Sequence, residues 1–231
     1  MSKILQLELD GSSLSFAVDR VVVAGYTGRD QNQVRAHIIE LERHGIPAPP
    51  RFPTMYPLDA EWATVDQQLT VAPRVSGEVE PALLFTADGL ESALVSVTSD
   101  FTDREEERRS IANSKVFPKP LSRRVWQYKN VAGFWDDIAL RSWVGEGATR
   151  QPYQSGKLAQ LLPPGELLER LKLGNLKGTM MLMGTVPLLT KEFSFSDHFA
   201  CELETPLHEK LTYSCRLQRA GINVKPGEAK L

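Results

Sequence analysis

Glu78-Val79-Glu80-Pro81-Ala82-Leu83-Leu84-Phe85, then the turn signal Ala87-Asp88-Gly89, then Ala93-Leu94-Val95-Ser96-Val97-Thr98-Ser99-Asp100, is the stretch whose reading decides the fold. Two short β-prone runs around a Gly turn predict a hairpin. Pro81–Phe85 is apolar at every position, which predicts a strand covered on both faces rather than one that alternates between core and water. Glu78 and Glu80 stand two apart at its start, so both carboxylates share one face. A bare Glu-x-Glu is most often a solvated strand face. Here the acids mark the point where a buried strand emerges, and the partner strand ends on Asp100.

Register decides whether the three acids converge. With a two-residue Asp88-Gly89 turn, Glu78 lies opposite Ser99 and Asp100 faces the other way. A slip of one residue, from a longer loop or a bulge, puts Glu78 opposite Asp100 on one face. Both registers are open to this sequence. In the second, three carboxylates raise one another's pKa unless a cation joins them. Oxygen-only donors favour Mg²⁺, with Mn²⁺ or Ca²⁺ as alternatives; no histidine or cysteine accompanies the trio to favour zinc.

Working outward, Lys3–Leu9 and Leu14–Val18 read as a hairpin around Asp10-Gly11-Ser12, and Arg20–Gly25 as a buried strand. Asp30–His44 has helical period, with Val34, Ile38 and Leu41 on one face. Gly45 stops it, and the proline-rich 47–53 run is a stiff connector. Thr102-Asp103-Arg104-Glu105 has the form of a capping box, which predicts a helix directly after Asp100 to about Asn113. Asp137–Val144, Leu176–Leu182, Phe193–Leu203 and Leu211–Leu217 are strand candidates, Pro163–Leu171 is a short helix, and the 221–231 tail is expected to be loosely held. The fold class expected is α+β, mostly β, a mixed rolled sheet with a few short helices. At 231 residues one domain spanning 1–231 is favoured, with 1–20 as its N-terminal hairpin.

Composition narrows the functions. A hydrophobic share of 42% supports a real core, and a formal charge of −2 lacks the basic excess of a nucleic-acid binder. No apolar stretch is long enough for a bilayer and the N-terminus has no signal-peptide run, so a cytoplasmic protein without nucleic-acid or membrane partners is expected. Cys201 and Cys215 have no CxxC spacing and read as buried thiols. Val22–Gly28 lacks both G-x-G-x-x-G and a P-loop lysine, so its glycines read as tight turns, with Arg29 at a site mouth. His37 and Glu40, three apart on the predicted helix, could form a general-base pair. The plainer account is a boundary histidine beside a solvated glutamate. Arg104 and Lys115 could receive an anionic carboxylate.

Taken together, Glu78-Val79-Glu80 and Ser99-Asp100-Phe101-Thr102-Asp103-Arg104-Glu105 resemble the Glu-x-Glu and Asn-Asp-x-Thr-Ala-Arg-Asp elements of the fumarylacetoacetate hydrolase (FAH)-like superfamily. Leu140–Gly147 is similar to its strand ending in Val-Asn-Gly-Glu, and Gly184-Thr185-Val186-Pro187 to its Gly-Thr-Pro-Ser-Gly turn. The resemblance runs from about Val21 to Arg216 and is nearest to a bacterial branch of DUF2848-like proteins. It departs at Ser99, where the motif has asparagine, and at Gly25-Tyr26-Thr27-Gly28-Arg29, where arginine replaces the histidine of Asn-Tyr-x-x-His. The resemblance implies a rolled sheet like the FAH C-terminal domain, and Glu78, Glu80 and Asp100 as ligands of Mg²⁺, Mn²⁺ or Ca²⁺. It implies Arg104, Lys115 and Thr185 as substrate contacts, to which we add Arg29 from its place in the sequence, and a homodimer. The expected function is a metal-dependent hydrolase or lyase that cleaves a carbon–carbon bond in a small dicarbonyl or acylpyruvate-like acid, with His37 and Glu40 activating water. The alternatives are a decarboxylase, tautomerase or hydratase acting on a 2-keto acid at the same site, or a non-catalytic binding protein with a degenerate site.

Overall fold

The computed structural model of the chain describes residues 1–43, 48–49, 51–190 and 192–220; the side chains at 37, 40 and 41 are not among those described. Its middle is the predicted hairpin, Val79–Phe85 against Ala93–Ser99, with Glu80 opposite Thr98 and Phe85 opposite Ala93. Beyond the last ladder pair, Glu78 N donates to Asp100 O at 3.2 Å and Asp100 N to Glu78 O at 2.8 Å. Glu78 therefore faces Asp100, and of the two open registers the slipped one is adopted. The cause is the loop. Residues 86–92 form no two-residue turn; they include a 3₁₀ turn at Leu90–Ser92, and Ser92 Oγ donates to Ala87 O at 2.7 Å and Gly89 O at 2.8 Å.

Both strands are buried along their whole length. Val79, Leu83, Phe85, Val95 and Val97 pack into one core with Leu140, Leu203 and Leu217, while Ala82, Leu84 and Leu94 pack into a second with Leu5, Leu7 and Phe16. Glu78, Glu80 and Asp100 belong to the second face, at the end where it stops being apolar.

The hairpin lies inside an eight-stranded mixed sheet. Its spatial order is Ser12–Val18, Lys3–Leu9, Arg124–Gln127, Ala93–Ser99, Val79–Phe85, Thr179–Leu182, Arg20–Gly25 and Thr54–Asp59. Two pairings are parallel, Lys3–Leu9 with Arg124–Gln127 and Thr179–Leu182 with Arg20–Gly25. A five-stranded sheet, ordered Gln151–Lys157, Ala139–Val144, His198–Glu204, Lys210–Arg219 and Gln68–Val71, contributes residues to the first core. The expected α+β, mostly β architecture is what forms. The N-terminal hairpin is part of the large sheet, closed by Asp10 and Gly11, both at positive φ. The predicted first helix is α1, Gln31–Arg43, started by Asp30 Oδ1 accepting from Asn32 N and Gln33 N. Among the described residues no helix is long and apolar enough to cross a membrane.

One element is corrected. No helix follows Asp100. Thr102–Asp103 is a short strand paired with Val75–Ser76, and only a 3₁₀ turn at Glu106–Arg108 and a single helical turn at Ile111–Ser114 come after it. Thr102 does not cap, because its hydroxyl is taken by Lys115 Nζ at 3.0 Å. Asp103 Oδ1 instead closes an Asx turn, accepting from Glu105 N at 2.9 Å and Glu106 N at 3.3 Å, and the 3₁₀ turn that follows has no side-chain cap. The predicted tail at 221–231, His44 and part of the proline-rich connector lie outside the described residues.

Candidate active site

Glu78, Glu80 and Asp100 share one wall of a cavity of about 1410 Å³, together with Tyr26, Tyr56, Arg104 and Lys115. Asp100 is fully buried and Glu80 is 3% exposed. Such burial of like charges demands compensation, and the protein supplies it with its own cations. Lys115 Nζ donates to Asp100 Oδ2 at 2.6 Å and stands 3.8 Å from Glu78. Lys119 Nζ, fully buried, lies 2.9 Å from Asp100 Oδ1 and donates to Phe101 O at 2.7 Å. Arg104 Nη2 stands 3.1 Å from Glu78 Oε2, and its Nε donates to Ser76 Oγ at 2.7 Å.

The pairing splits the protonation behaviour of the acids. Burial acts to raise Asp100, but Lys115 and Lys119 outweigh it and hold its pKa down to about 2. Glu80 goes the other way: burial, then the charge of Asp100, push it well above the ordinary carboxylate range, although Lys115 and the Gly184 amide oppose them. Lys115 is raised, because Asp100 and Glu78 overcome its burial. Lys119 is lowered by burial, against the pull of Asp100.

The three acids were expected to converge as a ligand set. Among the described residues, no three His, Cys, Asp or Glu side chains stand together closely enough to hold a metal ion. Asp100 leans to its two lysines and Glu78 to Arg104. The donor chemistry nevertheless fits a hard divalent cation, since three carboxylates occupy one face and the buried Asp100 Oδ1 has no hydrogen-bond partner. Lys119 is near enough to neutralise that oxygen but not aligned to donate to it.

Gly184 and Thr185 bring the second face of the wall. Gly184 N donates to Glu80 Oε2 at 2.7 Å, from a residue at φ 96°. A Cβ there would overlap Thr27 Oγ1. Gly184→Ala is therefore expected to destabilise the protein by more than about 1 kcal/mol in urea unfolding and to pull the amide off Glu80. Thr185 does not point a free donor at the cavity: its hydroxyl donates to Val79 O at 2.6 Å. Gln154, 1% exposed, completes the clamp, donating to Thr185 Oγ1 at 2.7 Å while its Oε1 accepts from Val79 N at 2.9 Å. Val79, the residue between the two glutamates, is thus held at both its N–H and its C=O, one in each of the peptide groups that join it to Glu78 and Glu80.

The other proposed substrate contacts are also engaged. Arg29 borders the cavity, yet its guanidinium makes two bonds to Asp136, at 2.7 and 2.6 Å, and its Nε donates to Leu161 O. Arg104 is shared among Glu78, Glu107 and Ser76 and lies 3.9 Å over the Phe193 ring. The side chains of His37 and Glu40 lie outside the described residues; their backbone belongs to α1, whose first turn contributes Gln33 and Val34 to the cavity. Lys119 and Gln154 are the residues that sequence reasoning passed over. Lys119 sits between Pro118 and Pro120, a context that carries no site signal, and Gln154 acts through backbone groups that no side-chain pattern displays.

The family described as "Protein of unknown function (DUF2848)" matches residues 24–214. The chain belongs to the DUF2848 family. Solved structures place its fold. A fumarylpyruvate hydrolase from Pseudomonas aeruginosa, in complex with Mn²⁺ and pyruvate, matches this DUF2848 chain with TM-score 0.65 and 16% identity, over 94% of this chain and 97% of its own. A protein from Oleispira antarctica, described as a candidate fumarylacetoacetate isomerase/hydrolase, matches with TM-score 0.66 and 20% identity, over 93% and 100%. The 5-carboxymethyl-2-hydroxymuconate delta-isomerase of Mycobacterium smegmatis matches with TM-score 0.59 and 20% identity, over 89% and 80%. At these identities the likeness establishes the fold, which is that of FAH-like proteins. A search of curated protein sequences gave no match.

Proposed function

We propose that this DUF2848 protein is a divalent-metal-dependent hydrolase or lyase that cleaves a carbon–carbon bond in a small dicarbonyl or acylpyruvate-like acid. The observation that carries the reading is the cavity wall on which Glu78, Glu80 and Asp100 stand beside the charged Lys115. The relative that holds Mn²⁺ and pyruvate on the same fold supports it.

Glu78, Glu80 and Asp100 would hold Mg²⁺, Mn²⁺ or Ca²⁺, which when bound supplies Lewis-acid stabilisation of enolate and carboxylate oxygens. Lys115, kept protonated by Asp100 and Glu78, adds fixed positive charge for the substrate's anionic end. Arg104 and Thr185 act behind it, holding Glu78 and the Val79 peptide in place. His37, with Glu40 three residues on, takes the proton of the attacking water; the water oxygen bonds to the carbonyl carbon, and the breaking carbon–carbon bond leaves its electron pair on the enolate. The homodimer implied by the resemblance and the cytoplasmic setting expected from the sequence go with this proposal.

A second reading, decarboxylation, tautomerisation or hydration of a 2-keto acid on the same wall, is favoured by one observation. Arg29, at the position where the resembling motif has histidine, is locked to Asp136 and cannot activate water. One assay series covers both. Acylpyruvates and oxaloacetate are incubated with the protein after chelation and after return of Mg²⁺ or Mn²⁺. The expected result is acylpyruvate cleavage that vanishes on chelation and returns with metal. His37→Ala is expected to lower its kcat by about 100-fold or more while metal affinity is kept. Metal-dependent loss of CO₂ from oxaloacetate without acylpyruvate cleavage selects the second reading, and no metal-dependent turnover of either sinks both.

A further inference from the structure

The cavity is rich in cations, but most are already spent. Lys115 is paired with Asp100, Arg104 with Glu78 and Glu107, and Arg29 with Asp136. Arg74 and Arg108 also line the cavity, both are exposed, and neither forms an ion pair with any described residue. Of these two, only Arg74 stands on a built platform.

Arg74 lies directly before the Val75–Ser76 strand, across from Arg104, whose N donates to Arg74 O at 3.0 Å. Residues so placed have Cβ atoms roughly 5 Å apart, which sets Arg74 directly beside the arginine that holds Glu78. Its guanidinium carbon is 3.9 Å from the centroid of the Phe195 ring, beside the equivalent stack of Arg104 on Phe193. The backbone beneath is clamped as well: Arg219 Nη1 donates to Pro73 O and Val75 O, each at 3.0 Å, and Asp197 holds Arg219 Nε at 3.0 Å. A guanidinium stacked on an aromatic ring and carried on a fixed backbone loses little freedom when an anion binds its remaining N–H groups.

We propose that Arg74 is the receptor for a second, distal carboxylate at the cavity mouth, so that the substrate is a dicarboxylic acid. One end of such a molecule meets the wall of Glu78, Glu80, Asp100 and Lys115, and the other reaches the planar fork of Arg74. This specificity rests on the acylpyruvate reading above.

The test compares fumarylpyruvate with acetylpyruvate, which lacks the far carboxylate, on the wild-type protein and Arg74→Gln, each loaded with Mn²⁺. For fumarylpyruvate, KM is expected to rise about 10- to 100-fold in the variant, the effect of losing a charge-assisted bond, with kcat unchanged. For acetylpyruvate neither parameter should move. An equal change for both substrates, or no change for either, overturns the proposal. If the wild type turns over neither compound, the acylpyruvate reading is the one that fails. Calorimetric binding of succinate and butyrate to the wild type and Arg74→Gln then decides the distal site on its own. A preference for succinate that Arg74→Gln abolishes supports Arg74; no preference in the wild type, or one that survives the substitution, rejects it.

Discussion

Asp100→Ala should lower the thermal midpoint by roughly 6–20 °C, the consequence of about 3–5 kcal/mol lost when one partner is removed from a buried ion pair in a chain of this size. Asp100 is shared by two buried ammonium groups, Lys115 at 2.6 Å and Lys119 at 2.9 Å. Lys115 keeps a second acid nearby in Glu78, at 3.8 Å, whereas Lys119 has no other carboxylate within ion-pair distance among the described residues. Without Asp100, Lys119 would be a charge sealed in the protein with only the Phe101 carbonyl for company. The loss carries a pH signature. Burial already depresses Lys119 below its ordinary value of 10.5, and removing the carboxylate takes away the main opposing pull. The unfolded variant then binds more protons than the folded one in the window between that depressed pKa and 10.5. Its stability must therefore rise with pH across the window, narrowing the gap to wild type. Calorimetric melts from pH 6 upward measure both effects. Asp100→Ala combined with Lys119→Met should recover much of the stability, since an apolar side chain of similar length needs no counter-ion. A single variant that melts with the wild type, or a double variant no better than the single, would refute the shared-counter-ion account.

That ion-pair knot marks where sequence reasoning ended. The alternation of Glu78 and Glu80 and the apolar run Pro81–Phe85 were legible because side-chain direction in a strand follows from spacing alone. Asp100 was not, since its side depends on the 86–92 loop, whose shape comes from Ser92 bonding back to Ala87 and Gly89. Thr102–Glu105 carried the letters of a capping box, but Lys115, thirteen positions on, claims the threonine hydroxyl. The edge strands Thr54–Asp59 and Gln151–Lys157 escaped notice for a local reason: each contains a proline, Pro57 and Pro152, of the kind a sheet tolerates at its margin. The cations Arg29 and Arg104 could be recognised as cations from their letters. That they are spent on Asp136, Glu78 and Glu107 is a property of the fold.

Glu80→Gln separates the metal-site proposal from structural effects, because the two should respond oppositely. Glu80 is enclosed, its pKa is raised by burial and by Asp100, and one of its oxygens accepts from Gly184 N. A protonated carboxyl and a carboxamide have the same outline, and the glutamine oxygen can accept the same bond. In the absence of metal the substitution should therefore leave the melting temperature unchanged or raise it, as it removes an acid that resists ionising beside Asp100. Metal binding should behave differently. A divalent cation would have to displace the Glu80 proton and use the carboxylate it leaves, and a glutamine can supply neither the charge nor the second oxygen donor. Calorimetric titration with Mn²⁺ is expected to give an affinity at least about 100-fold weaker than wild type, beyond the usual effect of losing an outer-shell partner. The pairing of the two measurements gives the result its meaning. Weakened binding in a protein that melts as well as the wild type can be assigned to a lost ligand, a conclusion that Asp100→Ala, with its large structural loss, could never support alone. Unchanged Mn²⁺ affinity in Glu80→Gln would remove Glu80 from the ligand set. A large drop in melting temperature would mean instead that Glu80 is ionised in the metal-free fold, held so by Lys115 more strongly than burial and Asp100 oppose it.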